Sequence, residues 1–188
     1  YAVRTRGDGW REVLAIVRGL EMPSGVAVRK GSLYVAEMAK IWRYDDIEAH
    51  LDSPPKPALI AELPAERHHG WRYLAFGPDD KLYVGIGAPC NVCDRDKEGF
   101  ATVMRMNPDG SGREIVARGV RNTVGFTWHP VTHELWFTDN GRDMLGDNAP
   151  PCELNRLSRV GEHFGFPFCH AGTIADPDFG KLGRCEDT

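Results

Sequence analysis

Basic stripes are missing from this chain. Its 23 Lys and Arg are outnumbered by 27 Asp and Glu, the net charge is -4, and the arginines are scattered among acids. That excludes the electrostatic footprint of a nucleic-acid surface. No apolar run approaches the roughly 20 residues that a membrane-spanning helix needs. Helical patterning is nearly absent. The segment YDDIEAHLDS, from Tyr44 to Ser53, is the one helical turn the pattern predicts, and PPKP directly after it stops it. No secretory leader is seen, but the chain opens on Tyr1 rather than Met, so this absence says little about location. A second CxxC is missing, which disfavours a four-cysteine zinc site, and no His follows Cys93, which disfavours haem attachment.

What is present is turn and strand chemistry. The 188 residues hold 21 Gly and 13 Pro, enough to favour many turns and short strands. The length suits one core and one domain. Five cysteines point first to disulfides in an oxidising compartment, with metal or redox roles as the alternative.

One pattern occurs three times: PSGVAVRKGSLYVAE from Pro23, HGWRYLAFGPDDKLYVGIG from His69, and NTVGFTWHPVTHELWFTDNG from Asn122. Each has a small or polar start, an apolar strand, a tight loop and a second strand, and a third strand containing an arginine follows. Gly25, Gly70 and Gly125 align as corresponding positions. An interval of about 50 residues is the period of four-stranded propeller blades. The chain therefore reads as all-β, about three blades of a β-propeller, at 11–53, 56–112 and 113–170, with 171–188 opening the next segment. A ring closes with about four to eight blades. Three leave two blade faces open, which predicts self-association or a missing C-terminal half. Trp42, Tyr44, Leu82, Val84, Leu135 and Phe137 are expected to furnish apolar blade faces.

A residue just before a blade's first strand lies near the mouth of the central channel. His69 holds that place in the second repeat, and Arg121 and Asn122 in the third. The bland readings are a histidine capping backbone groups and an inter-blade ion pair with a turn. TDNGRDMLGDNAPPCELN carries Asp139, Asn140, Asp143, Asp147 and Glu153, hard oxygen donors of the kind calcium takes. The bland reading there is a long polar loop. Cys90 and Cys93 read as a short disulfide, with half a zinc site or a redox pair as alternatives. Cys152 and Cys169 are the next candidates to pair, which leaves Cys185 odd.

The stretches HHGWRYLAFGPDDKLYVGIGAPCNVC, NPDGSGREIVARGVRNTVGFTWHPVTHELWFTDNGRD and CELNRL…GEHFGFPFCH resemble the sorbosone dehydrogenase branch of the soluble quinoprotein sugar dehydrogenases, from about Gly19 to His170. The resemblance implies a six-bladed β-propeller and a periplasmic or secreted sugar dehydrogenase using pyrroloquinoline quinone (PQQ) and calcium. It implies His69, five residues before Leu74, as the catalytic base. It implies Arg121 and Asn122 as contacts of the quinone oxygens, and the backbone carbonyls of Gly141 and Arg142 as calcium ligands. Two positions depart from the family pattern: Ala88 stands where an aspartate orients the histidine, and Cys152 replaces a second aspartate. Further family cofactor contacts belong to later blades, beyond Thr188. The alternatives are a non-catalytic propeller module that kept the scaffold and a calcium-dependent lactonase, the latter needing a channel ring of acids and amides.

Overall fold

The computed structural model describes residues 1–183 and 185. A hairpin of β1 (Ala2–Thr5) and β2 (Arg11–Leu14) opens the chain. The first blade is β3 (Gly25–Arg29), β4 (Ser32–Ala36), β5 (Lys40–Tyr44) and β6 (Ala58–Glu62), an antiparallel meander in that order. The second is β7 (Leu74–Phe76), β8 (Leu82–Ile86), β9 (Thr102–Met106) and β10 (Glu114–Arg118). The third is β11 (Phe126–Trp128), β12 (Leu135–Asp139) and β13 (Glu153–Arg156). The short β14 (Glu162–His163) returns to pair with β10 in parallel, giving the second sheet a fifth strand. A last hairpin joins β15 (Cys169–His170) and β16 (Ile174–Ala175). The fold is an all-β partial propeller. The helical turn expected within YDDIEAHLDS is a single 3₁₀ turn at Ile47–His50.

The strand period of two explains the stacking. On β8 every residue is buried, because both faces of the second blade are covered. Leu82, Val84 and Ile86 pack with Tyr34, Ala36, Ile41 and Ile60 of the first blade. Tyr83, between them, packs with Val103, Val116, Phe126, Leu135 and Phe137 on the side of the third blade. Each large apolar side chain buried this way contributes about 1.5–3 kcal/mol. Tyr44, Leu82, Val84, Leu135 and Phe137 are thus interior, and Trp42 is partly buried against the cluster of Ile16, Val35, Tyr44 and Ile47, so they do not form the open faces. The exposed apolar residues are others: Val26, Val28, Trp71, Tyr73, Val124 and Leu154. The outer face of the first blade is partly covered by the chain's own start, where Ile16, Val17, Leu20 and Ala2 lie over Val35, Tyr44 and Ile47.

β3 and β7 lie side by side as first strands of adjacent blades. Their approach is so close that a Cβ on Gly25 would lie 2.0 Å from the Arg72 carbonyl oxygen. Glycine is required there for that reason. The three aligned glycines are not equivalent. The first strands begin at Gly25, Leu74 and Phe126, so Gly70 precedes its strand by a turn in which its N–H bonds the Arg67 carbonyl at 3.1 Å. Gly125 has open space around it.

Cys90 and Cys93 form a disulfide with their Cα atoms 6.1 Å apart. The expected Cys152–Cys169 pairing is wrong. Cys169 is joined to Cys185, Cα to Cα 5.2 Å, and Cys152 is free and exposed. The reason is the turn back after the last hairpin. Gly183 lies against the Phe168 ring, where a Cβ would sit 2.5 Å from Cγ, and this returns the chain to Cys169. No helix among the described residues is long and apolar enough to cross a membrane.

Candidate functional site

The segment before β7 sets His69. Its backbone is left-handed, with φ 50°, a conformation uncommon outside glycine. Arg72 holds it there. This arginine is fully buried, and its N–H groups donate to the carbonyls of Met38, His69, Trp71 and Pro64 at 3.0, 3.0, 3.1 and 2.9 Å. Burial lowers its pKa to about 10.

The half-buried His69 ring places Nδ1 2.8 Å from the Ala88 carbonyl oxygen. A carbonyl only accepts, so Nδ1 carries the proton and the neutral ring keeps its lone pair on Nε2. Where the family resemblance leads to an aspartate, the main-chain carbonyl of Ala88 orients the ring. Burial holds the His69 pKa down at about 4. The Ala88 hydrogen bond works against this, and the Arg121 and His68 charges add to it. The ring is neutral at pH 7. His68 is exposed and lies edge-on to it, ring centres 4.1 Å apart.

The same peptide ties the two halves of the site together. Ala88 N–H donates to the Arg121 carbonyl at 2.7 Å. Next to it, a Cβ on Gly87 would lie 2.5 Å from His69 Cβ and 3.3 Å from Asn122 Oδ1. Gly87 is the space between His69 and Asn122.

Arg121 and Asn122 begin the approach to β11. Their backbone N–H groups both donate to the buried Asp139 carboxylate at the end of β12, at 2.8 and 2.6 Å. Burial pushes Asp139 up to about 7, against the pull of those two donors. The Arg121 guanidinium is buried, its side chain 4% exposed. Its five N–H groups find five acceptors. Nε donates to the Asn91 carbonyl at 2.8 Å. Nη1 donates to the Asn140 and Gly141 carbonyls at 3.0 and 2.7 Å. Nη2 donates to Asn91 Oδ1 at 2.8 Å and to Asp143 at 3.1 Å. Burial lowers the Arg121 pKa.

The structure thus brings His69, Arg121, Asn122 and Gly141 to one cluster. Arg142 follows Gly141, but its side chain is engaged by the buried Asp176, which also bonds His170 at 2.8 Å. The side-chain calcium set does not assemble. Asp139 is spent on two backbone donors, and no group of three or more His, Cys, Asp or Glu among the described residues is placed to hold a metal. What remains for a hard cation is backbone carbonyl oxygen, a donor type calcium accepts. The Gly141 oxygen has a second lone pair beyond the one Arg121 takes. A cation, an amide and a neutral imidazole around such carbonyls suit a planar, anionic, oxygen-rich cofactor.

Sequence reasoning missed Arg72, Asn91 and the bonding role of Asp139. An arginine among the apolar residues WRYLAF is the signal for the first. An asparagine enclosed by two cysteines is the signal for the second.

A family model for glucose / sorbosone dehydrogenases matches residues 56–178. An uncharacterized protein of Borreliella burgdorferi is 37% identical over 169 residues, which is 84% of this chain and 44% of the relative. Among solved structures, the holo PQQ domain of pyranose dehydrogenase from Coprinopsis cinerea superposes with a TM-score of 0.75 at 15% identity, covering 94% of this chain and 50% of that one. The calcium structure of a family AA12 carbohydrate-active enzyme from Trichoderma reesei gives a TM-score of 0.76 at 18% identity, over 96% of this chain and 54% of that one. The PQQ-bound aldose sugar dehydrogenase of Streptomyces coelicolor gives 0.54 at 19%, over 94% and 72%. At these identities the structural likeness speaks for the fold. The chain spans about half the length of the first relatives it matches. By the match over residues 56–178, the chain belongs to the glucose / sorbosone dehydrogenase family.

Proposed function

We propose that this chain carries the proton-accepting half of a PQQ- and calcium-dependent dehydrogenase site that oxidises the C1 hydroxyl or aldehyde hydrate of a sugar. The observation that carries the reading is the neutral, Nδ1-protonated His69 beside Asn122 and Arg121. His69 Nε2 accepts the substrate hydroxyl proton as general base. Asn122 donates its amide to a cofactor oxygen, and Arg121 supplies positive charge where negative charge develops. Arg121 contacts a cofactor oxygen only by giving up an acceptor, and the exposed Asp143 is the one it releases most readily. The carbonyls of Gly141 and Arg142 hold calcium. When bound, PQQ supplies the two-electron acceptor and calcium a Lewis acid. PQQ and calcium appear in the descriptions of the fold relatives above, which supports both choices.

The three blades, β3–β6, β7–β10 and β11–β13, make half of a six-bladed ring; β6 closes the first and β10 the second, so the blade bounds fall later than 53 and 112. The other half is a second copy or further blades, covering an apolar groove of ≈ 340 Å³ lined by Tyr73, Val124, Phe126, Trp136 and Leu154. Turnover by the chain alone is weak or absent. Two disulfides fit a periplasmic or secreted protein.

One observation favours a second reading, a non-catalytic propeller module: the Arg121 guanidinium is saturated within the chain. Adding PQQ, calcium and an aldose to the protein and recording the visible spectrum separates the two. Spectral change of the quinone supports the dehydrogenase. A spectrum equal to free PQQ supports the module.

A further inference from the structure

Arg121 is half held by a residue the function above does not use. Asn91 lies between Cys90 and Cys93, which are joined. Its carbonyl takes Arg121 Nε–H and its Oδ1 takes Nη2–H, both at 2.8 Å. The same Oδ1 takes the Asp143 backbone N–H at 2.8 Å, and its Nδ2 donates to the Asp143 carbonyl at 3.1 Å. One asparagine therefore grips both the guanidinium and the loop that carries Asp143, Arg121's exposed ion partner.

An unclosed four-residue segment with a free asparagine samples many conformations, and few of them present both oxygens to one guanidinium. Closing the loop with a disulfide removes most of the others. Cys90 and Val92 also pack against the buried cluster of Ala88, Ala101 and Phe166. Asn91 is thus fixed from both sides, at the disulfide and at the core, while its side chain faces Arg121.

We propose that Asn91, braced by the Cys90–Cys93 disulfide, is the positioning residue of Arg121, fixing the guanidinium for its role toward the cofactor. The cofactor half of this inference rests on the function proposed above; the grip on Arg121 does not.

The test uses the full chain and two readouts. The first is the hydrogen-exchange rate of the Arg121 Nε–H by NMR, assigned with Arg121→Lys, with the Arg72 Nε–H as internal control. The second is the PQQ dissociation constant by equilibrium dialysis with calcium. Asn91→Ala and the Cys90→Ser/Cys93→Ser double variant should each speed Arg121 exchange at least about tenfold while Arg72 is unchanged. Each should weaken PQQ about tenfold, the scale for losing an orienting partner. Asn91→Asp keeps the oxygen acceptor and should restore slow exchange. Arg121 exchange that is unchanged in the variants, or that rises equally with Arg72, overturns the proposal. Faster Arg121 exchange with unchanged PQQ affinity supports the positioning and instead overturns the cofactor role of Arg121.

Discussion

The carbonyl oxygen of Ala88 takes the Nδ1 proton of His69 at 2.8 Å. A main-chain group orients the ring where the family resemblance leads to an aspartate. A carbonyl carries less negative charge than a carboxylate and stabilises an imidazolium less. Burial holds the His69 pKa down at about 4, and the Ala88 hydrogen bond only partly offsets it, leaving a histidine that is neutral, oriented and of low basicity.

That low value sets a pH dependence. The folded ring declines a proton until about pH 4, whereas an unfolded histidine binds one near 6.5. Between these values the unfolded state binds more protons, so this group favours folding above pH 6.5 and loses that contribution as pH falls toward 4. An NMR titration of the His69 ring should give a midpoint well below 6.5. A midpoint at or above 6.5 would show that the ring is solvated rather than buried.

In the ring completed by its other half, His69→Gln should lower PQQ-dependent sugar oxidation by at least ~10²-fold, the low end for a lost general base, with the fold retained. His68→Gln should change it little, because His68 is exposed. The reverse pattern in steady-state rates would move the role to His68.

Gly87→Ala probes the close approach of Gly87 to His69. The added Cβ would sit 2.5 Å from His69 Cβ, and Gly87 is not among the residues with positive φ, so strain arises from the contact. The His69 ring should lose its Nδ1–H tautomer preference in ¹⁵N spectra. Ring shifts identical to wild type would mean that Gly87 does not abut His69.

Asp139→Ala orphans the N–H groups of Arg121 and Asn122. Each buried unsatisfied donor costs about 1–3 kcal/mol. The urea midpoint should fall accordingly. An unchanged midpoint would mean that water reaches both donors.

Thiol labelling without reductant should find one reactive cysteine, Cys152, since the other four are paired. Labelling at Cys185 with Cys152 protected would restore the pairing expected from sequence.

The blades were legible because strand alternation and turn residues repeat locally, as in LYVAE, LYVGIG and LWFTD. The placement of His69, Arg121 and Asn122 followed from that repeat, since a residue before a first strand has a fixed position in a blade. The cysteine pairing was not legible, because Cys169 meets Cys185 through a turn set by Gly183 and Phe168 rather than by spacing. Nor was the orienting carbonyl of Ala88, since a backbone group leaves no mark on residue type. Asp139 looked like a metal ligand by chemistry, and only the return of β12 beneath Arg121 gives it two backbone donors. The open faces were misassigned because β8 is covered on both sides, a property of stacking rather than of the strand itself.

The measurement that tests the central claim most directly is PQQ retained by the purified chain on equilibrium dialysis, with and without calcium, for wild type and Asn122→Ala. Calcium-dependent retention, weakened by roughly tenfold in Asn122→Ala as expected for about 1.4 kcal/mol of lost hydrogen bonding, is the expected result. Absence of retention at every calcium concentration, or retention indifferent to both calcium and Asn122, would contradict the account.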